Sequence, residues 1–455
     1  MDIYLKDKNV TLHTAKKYCE EDINVNVECD KLSAIPSAEE QTYSGIFDEV
    51  KIGPIPEEYL IPEGTINIKE NGDVDVSKYA SANINIKPDR TPLESKGVDF
   101  IDYDGTLLYS YTVEEAQALT ELPELPTQKG LICQGWNWTL EDIKEYGREL
   151  VVGAMYITDD GKTRIYIDCT LKNITMSLCF RENITNGVEI DWGDGSPIET
   201  PPMKNYYTNI LVEHQYVNEG SYIITLNPIE GCTLFLGGGG SSYSIMGEYL
   251  NQKNSLYNMI KKIELGRNVN ELNSYTFRNL ASLSSITMPN SINDFGTYVF
   301  RNCYSLSAIV IPSNNRELDT GSFYECSLLS RISIPKNLKY IGNSTFQQCY
   351  ALSSLCIPMG ISTLLGIIGQ NYALSNIFVP NNITSINGTG FAGCMNVVKY
   401  DYSTHAQVPT VSSTSAFGVN DYTIIIVPDE LYDEWIIATN WVSVADHIVK
   451  KSEVT

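Results

Sequence analysis

Between about Ile260 and Tyr402 the chain repeats itself at a nearly constant step. Phe277, Phe300, Phe323 and Phe346 stand 23 residues apart, and Phe391 follows after a further 45. Pro289, Pro312, Pro335 and Pro358 keep the same step, and Pro380 comes 22 later. Cys303, Cys326, Cys349 and Cys394 form a third column, three residues after each aromatic ring position. Leu280 and Asn371 fill that column in the two other units. A fixed period of this length predicts a solenoid, in which each unit completes its core only against its neighbours.

One unit runs from Phe300 to Pro312. Phe300 and Cys303 are expected on one face of a single helical turn. Leu306, Ile309 and Ile311 should point inward from a short strand, which Pro312 ends because it has no N–H for a ladder. The few apolar side chains of one unit cannot offset the conformational entropy of ordering it, so stacking is obligatory. Six units are legible, the first ending near Gly266 and the last carrying Tyr400-Asp401-Tyr402. Adjacent coils about 5 Å apart would put the cysteines within Cα range of disulfides. Their parallel Cβ vectors suit bridges poorly, so small buried thiols are expected. If the solenoid binds a partner, the natural surface is its outward strand ribbon: Ser285, Thr287, Ala308, Val310, Arg331, Ser333, Ser354, Cys356, Asn376 and Phe378. Tyr304, Tyr350 and Tyr372 form a second candidate strip, one place after the cysteine column.

The pattern F-x-x-C-x-x-L-x-x-I-x-I-P resembles the BspA-type leucine-rich repeat. That family is best known in bacterial surface and adhesion proteins and also occurs in gut-phage and prophage proteins. The resemblance implies a surface or binding role.

The stretch before the repeats divides in several places. Residues 1–36 read as a small β module, with Val10-Thr11-Leu12 and Ile23 to Val27 alternating at period two. Residues 37–90 hold further β modules for particle attachment or oligomerisation. There Asn71-Gly72 separates Gly64 to Ile68 from Val74-Asp75-Val76, a strong hairpin signal because both turn residues accept positive φ. Pro62 to Ile86 resembles short β modules that recur in tailed-phage virion proteins. Residues 91–127 read as a linker with one short helix, opened by a Thr112-Val113-Glu114-Glu115 capping box and stopped by Pro123.

Residues 128–235 are expected to hold an α/β lead-in and a β-sandwich. A helix should start at Trp138-Thr139 and run to about Gly147, with strands at Leu150–Ile157 and Thr163–Ile167. Asp191-Trp192-Gly193-Asp194-Gly195-Ser196, then His214-Gln215-Tyr216 and Gly220 to Leu226, resemble the PKD-type β-sandwich. That likeness implies a spacer or interaction module. Asp191 and Asp194 could hold a cation, but aspartates in such a turn more commonly bond their own backbone amides. His214 reads as a packing residue. Residues 236–254 form a Gly-rich hinge, 255–402 the solenoid and 403–455 an α/β cap over its open end. The order of Trp136-Asn137-Trp138, the PKD-like module and the repeats looks like the phage form.

Composition narrows the function. The net charge of −24, with 32 Lys and Arg against 56 Asp and Glu, argues against nucleic acid. The opening MDIYLKDKNV has no apolar core, so no signal peptide is expected, and no apolar run is long enough for a membrane span. No zinc-type spacing, cofactor motif or catalytic constellation is visible. Taken with this composition, the resemblances named above imply a multidomain, mainly β protein: a phage virion structural protein, a tail or head fibre or decoration. It would contact other virion proteins through its N-terminal modules and a host surface glycan or protein through its repeats, as a homo-oligomer on the virion surface. A bacterial BspA-like surface adhesin is the alternative. A glycan-degrading enzyme is disfavoured, because no pair of carboxylates stands in a recognisable catalytic setting.

Overall fold

The computed structural model describes residues 93–182, 187–202, 209–229, 232–237, 244–246 and 258–454, and the backbone of short strands between Asp2 and Pro88. The chain divides into two compact units, Met1–Glu94 and Ser95–Thr455. In the first unit, Gly64–Ile68 pairs antiparallel with Val74–Asp75, the hairpin that Asn71-Gly72 predicts. Lys31–Ala34 pairs with Gly64–Ile68, and Asp2–Leu5 pairs in parallel with Asn85–Pro88. The stretches expected as separate modules, 1–36 and 37–90, therefore share sheets. The expected strand at Ile23 to Val27 lies outside the described residues, as does most of the expected 236–254 hinge.

The second unit begins with a four-stranded sheet. It contains β1 (Val98–Ile101), β2 (Leu107–Tyr111), β3 (Leu131–Trp136) and β4 (Leu150–Thr158) in the order β2-β1-β4-β3. The 91–127 stretch is thus not a linker. Val98, Phe100 and Ile101 are buried there, and a parallel crossover joins β1 to β4. That crossover carries α1 (Val113–Ala118) and α2 (Leu140–Tyr146). The capping box at Thr112 and Glu115 forms as its spacing predicts, but the helix starts at Val113 and ends before Leu119. Thr139 caps α2, and Gly147 closes it at φ 59°, a conformation that costs glycine little.

The Thr158–Gly161 turn sends the chain into a second module. β5 (Thr163–Cys169) belongs to a different sheet from β4. One face of a sandwich is β8 (Ile210–Tyr216), β6 (Ile174–Glu182) and β10 (Leu234–Leu236). The other runs β7 (Val188–Asp191), β9 (Gly220–Pro228), β5, and then straight on into the solenoid through β11 (Ile260–Glu264) and β12 (Ser285–Thr287). β5 pairs antiparallel with β11, while β11 pairs in parallel with β12. The sandwich thereby covers the open edge strand of the first coil, which would otherwise offer unpaired N–H and C=O groups.

The strand ribbon continues as β13 (Ala308–Val310), β14 (Arg331–Ser333), β15 (Asn376–Phe378), β16 (Lys399–Asp401), β17 (Ile424–Val427) and β18 (Ile448–Lys450). Between β14 and β15, residues 353–357 hold the next rung without strand assignment. Inside, Phe300 stacks on Phe323 at 5.4 Å and Phe323 on Phe346 at 5.7 Å, in nearly parallel planes. Leu306, Ile309 and Ile311 are fully buried, as their spacing predicts. The Phe-to-Cys step is not helical. Asn302, Glu325 and Gln348, each one residue before the cysteine, take left-handed backbone at φ 63°, 60° and 61°. Each unit thus turns by successive tight turns and not by a helix turn. A second ladder, unforeseen from the sequence, lines the opposite edge through Leu272, Phe295, Leu318, Ile341, Leu364, Ile386 and Val411.

The ladder does not stop at Tyr402, as the lost register suggests. β17 pairs with β16, and β18 with β17, all parallel. Lys399 faces Ile424, a step of 25 residues, and this lengthened coil hides the period. Phe417 stacks on Phe391 at 5.9 Å, extending the aromatic column. A cap does close the end: α3 (Tyr432–Trp435) and the turn at Trp441 bury both tryptophans beside Tyr402. The Trp441 indole donates to the Pro409 carbonyl at 2.7 Å.

Candidate functional site

The lead-in sheet lies across the strand ribbon. Asn137 is buried, and its amide donates to the Ile311 carbonyl at 2.9 Å and accepts from Gly153 N and Ser333 Oγ, both at 2.9 Å. The Trp138 indole donates to the Ile334 carbonyl at 2.8 Å, and Ser333 Oγ to the Val151 carbonyl at 2.7 Å. Gly153 and Gly105 permit this approach, because a Cβ at either would collide with Val310 or Ala308. Lys336 adds ion pairs to Asp142, at 2.7 Å, and to Glu145.

This covering corrects six of the ten expected ribbon positions. Ser285, Thr287, Ala308, Val310 and Ser333 are buried, and the Arg331 guanidinium donates to the Gly105 carbonyl at 3.0 Å. Small side chains there admit a neighbouring sheet, where the periodicity alone suggested a solvated face. The other four stay open. Ser354 and Asn376 are exposed, and Cys356 and Phe378 are half-buried. All four line a cleft of about 530 Å³ between the ribbon and the segment Tyr146–Val151.

The cleft brings together residues that sequence reasoning did not connect. The Arg148 guanidinium carbon sits 3.9 Å above the centre of the Phe378 ring, and its nitrogen lies 3.3 Å from the Asp401 carboxylate. Tyr146 meets Phe378 edge-on at 6.3 Å. Asp99, Glu149, Ser353 and Lys399 complete much of the wall. Burial pushes the Cys356 thiol up to about 12, against the opposing effect of its hydrogen bond with Tyr146. Tyr146 is itself raised, by burial first and then by Cys356. Burial thus favours the protonated thiol at neutral pH. The arrangement suits binding: a cation-capped aromatic floor with polar groups at the rim. No sequence signal marked Arg148, because only the tertiary contact of lead-in and ribbon places it over Phe378.

The turn at Asp191 and Asp194 behaves as a bonded loop. Asp191 accepts from Gly193 N at 2.9 Å and Asp194 from Ser196 N at 3.0 Å. Asp194 also holds His214 Nε2 at 2.8 Å, while the imidazole stacks on Trp192 at 4.7 Å. Among the described residues no group of three or more His, Cys, Asp and Glu is placed to hold a metal ion, and no helix is long and apolar enough to cross a membrane. Cys303, Cys326, Cys349 and Cys394 are buried free thiols.

The model of the BspA type leucine rich repeat region matches in six copies, over residues 252–368 and 369–432. The solenoid is built of BspA-type leucine-rich repeats. Solved structures with similar coils include the leucine-rich repeat protein TpLRR of T. pallidum, at 21% identity and TM-score 0.30, covering 40% of this chain and 80% of that one. A leucine-rich repeat protein from Bacteroides ovatus shares 20% identity at TM-score 0.28, covering 35% of this chain and 45% of that one. The pneumococcal vaccine antigen PcpA shares 13% identity at TM-score 0.27, covering 42% of this chain and 66% of that one. No curated protein matches the chain.

Proposed function

We propose that this chain is a non-catalytic binding protein displayed at a surface, whose BspA-type solenoid offers the cleft at Phe378 to a ligand on a bacterial envelope. The observation that carries this reading is the partial covering of the ribbon. The lead-in sheet seals the early rungs and leaves Ser354, Cys356, Asn376 and Phe378 facing a cleft of about 530 Å³. The sandwich, read as a PKD-type spacer, braces the first coil. The N-terminal unit would assemble the chain as an oligomer and attach it to a phage particle, a reading supported by the resemblance of Pro62 to Ile86 to virion β modules.

A bacterial BspA-like surface adhesin is the second reading, and the repeat class favours it. Both readings place the cleft against a cell-surface ligand. Binding of the full chain to a panel of intact gut bacteria tests the shared part. Phe378→Ala should reduce cell binding about tenfold, as expected for an aromatic anchor in a small interface. Unchanged binding in that variant would sink the cleft as the site. Imaging a native particle or cell with an antibody to the chain separates virion from adhesin.

A further inference from the structure

One residue after the cysteine column, a row of side chains runs along the solenoid flank: Ala281, Tyr304, Ser327, Tyr350, Tyr372 and Met395. Tyr350 and Tyr372 are exposed and stack at 5.5 Å with planes 2° apart. Ser327 interrupts this aromatic row, so Tyr304 and Tyr350 stand two rungs apart with a gap between them. A pocket of about 340 Å³ fills the gap, lined by Tyr304, Glu325, Ser327, Gln348 and Tyr350. Its polar groups are held in place. Glu325 and Gln348 sit in the left-handed turns at φ 60° and 61°. The Gln348 amide donates to Gln370 Oε1 at 2.7 Å, while its own Oε1 is buried without a hydrogen-bond partner. Glu325 Oε2 lies 3.5 Å from the Tyr304 hydroxyl.

We propose that this gap binds one neutral hexopyranose ring of a glycan, stacked between Tyr304 and Tyr350. A ring over Ser327 would lie one rung from each tyrosine, the separation at which Tyr350 and Tyr372 already stack. The C–H face of a pyranose carries slight positive charge and packs on the negative face of a phenol ring. Its hydroxyl edge can donate to the Glu325 carboxylate and exchange a bond with the Ser327 hydroxyl. An aromatic side chain of a protein partner would fill the same slot, but it would bury the Glu325 carboxylate and the Ser327 hydroxyl without offering them a polar partner, which is costly. The Glu325 carboxylate disfavours acidic sugars. This site is separate from the cleft and does not depend on it.

The test titrates the full chain with methyl α- and β-glucoside, galactoside, mannoside and N-acetylglucosaminide, read by saturation-transfer NMR. At least one should bind in the millimolar range. Tyr304→Ala and Tyr350→Ala should each weaken it about three- to tenfold. Ser327→Tyr completes the aromatic row and should abolish binding while the melting temperature stays at or above that of the parent. No transfer to any of these sugars at about 10 mM, or unchanged affinity in Ser327→Tyr, would overturn the proposal. So would binding of tyrosine or phenylalanine amides with no sugar binding. Free sugars replace cells in this assay, so it can fail while the cleft assay succeeds, and the reverse.

Discussion

The Cys326 thiol donates to the main-chain carbonyl of Phe300, 3.1 Å away and one coil back. Cys303 does the same to Phe277 at 3.1 Å, Cys349 to Phe323 at 3.2 Å, and the Asn371 amide to Phe346 at 2.8 Å. From Cys303 to Asn371 the column therefore holds a small buried donor, and Asn371 fills the role as a cysteine does, while Leu280 in the first unit only packs. Phe300 O also accepts from Cys303 N at 3.1 Å, so the thiol takes a second lone pair. Cys326→Ala should cost about 1–2 kcal/mol, from the cavity and the lost bond together, measured by urea unfolding. Burial pushes the Cys349 thiol up to about 12. Thiol reagents at pH 8 should therefore leave the column unmodified until the solenoid unfolds.

Asn137 satisfies four polar groups at one buried point between lead-in and ribbon. Asn137→Leu keeps the branched shape but leaves the Ile311 carbonyl, Gly153 N and Ser333 Oγ with fewer partners. A loss of about 2–4 kcal/mol is expected, seen as a lower urea midpoint. A change under about 0.5 kcal/mol would show that water replaces the amide freely.

Gly153 lies against Val310, where a Cβ would collide. Gly153→Val should lift the lead-in sheet from the ribbon at a cost of about 1–3 kcal/mol. Hydrogen exchange should then speed up at Leu150–Thr158 and at Ala308–Ser333, while the coils after Asn376 keep their protection.

Asp194 gives the sandwich an acid sensitivity. Burial alone would raise its carboxyl, but hydrogen bonds from Ser196 and His214 outweigh burial and bring it down to about 2. An unfolded aspartate titrates near about 3.9, so the folded carboxylate contributes stability above that value. The contribution is lost as pH falls through about 4 towards 2. Fluorescence of Trp192, which stacks on His214, should report this loss. Asp194→Asn should flatten the acid limb between pH 4 and 2, and an unchanged limb would assign it elsewhere.

Arg148 is the test of the cleft floor. Its ion pair with Asp401 is partly exposed, so Arg148→Ala should cost about 1 kcal/mol or less in stability. Uncapping the Phe378 face should still reduce cell binding severalfold, because the cation–π contact orients the ring's surroundings. Loss of folding in this variant, measured by circular dichroism, would show that the pair holds the fold together.

The sequence by itself determined the coil. A 23-residue step in Phe277, Phe300, Phe323 and Phe346 can be met only by stacking equivalent side chains, and their rings do stack. Inward Leu306, Ile309 and Ile311, the capping box at Thr112 and the Asn71-Gly72 hairpin were likewise legible, because each depends on neighbours close in sequence. Tertiary structure decided the rest. Strand periodicity gives two faces but not which one a distant module covers, so Ser285, Thr287, Ala308, Val310 and Ser333 read as surface until β4 lies on them. The coil of 25 residues after Lys399 hid two further rungs, since a ladder requires aligned strands and not equal loop lengths. The cleft exists because Arg148, on one module, meets Phe378 and Asp401 on another, more than 200 residues away in sequence. No local pattern encodes that meeting; it follows from the glycines and small side chains that let the two sheets come into contact.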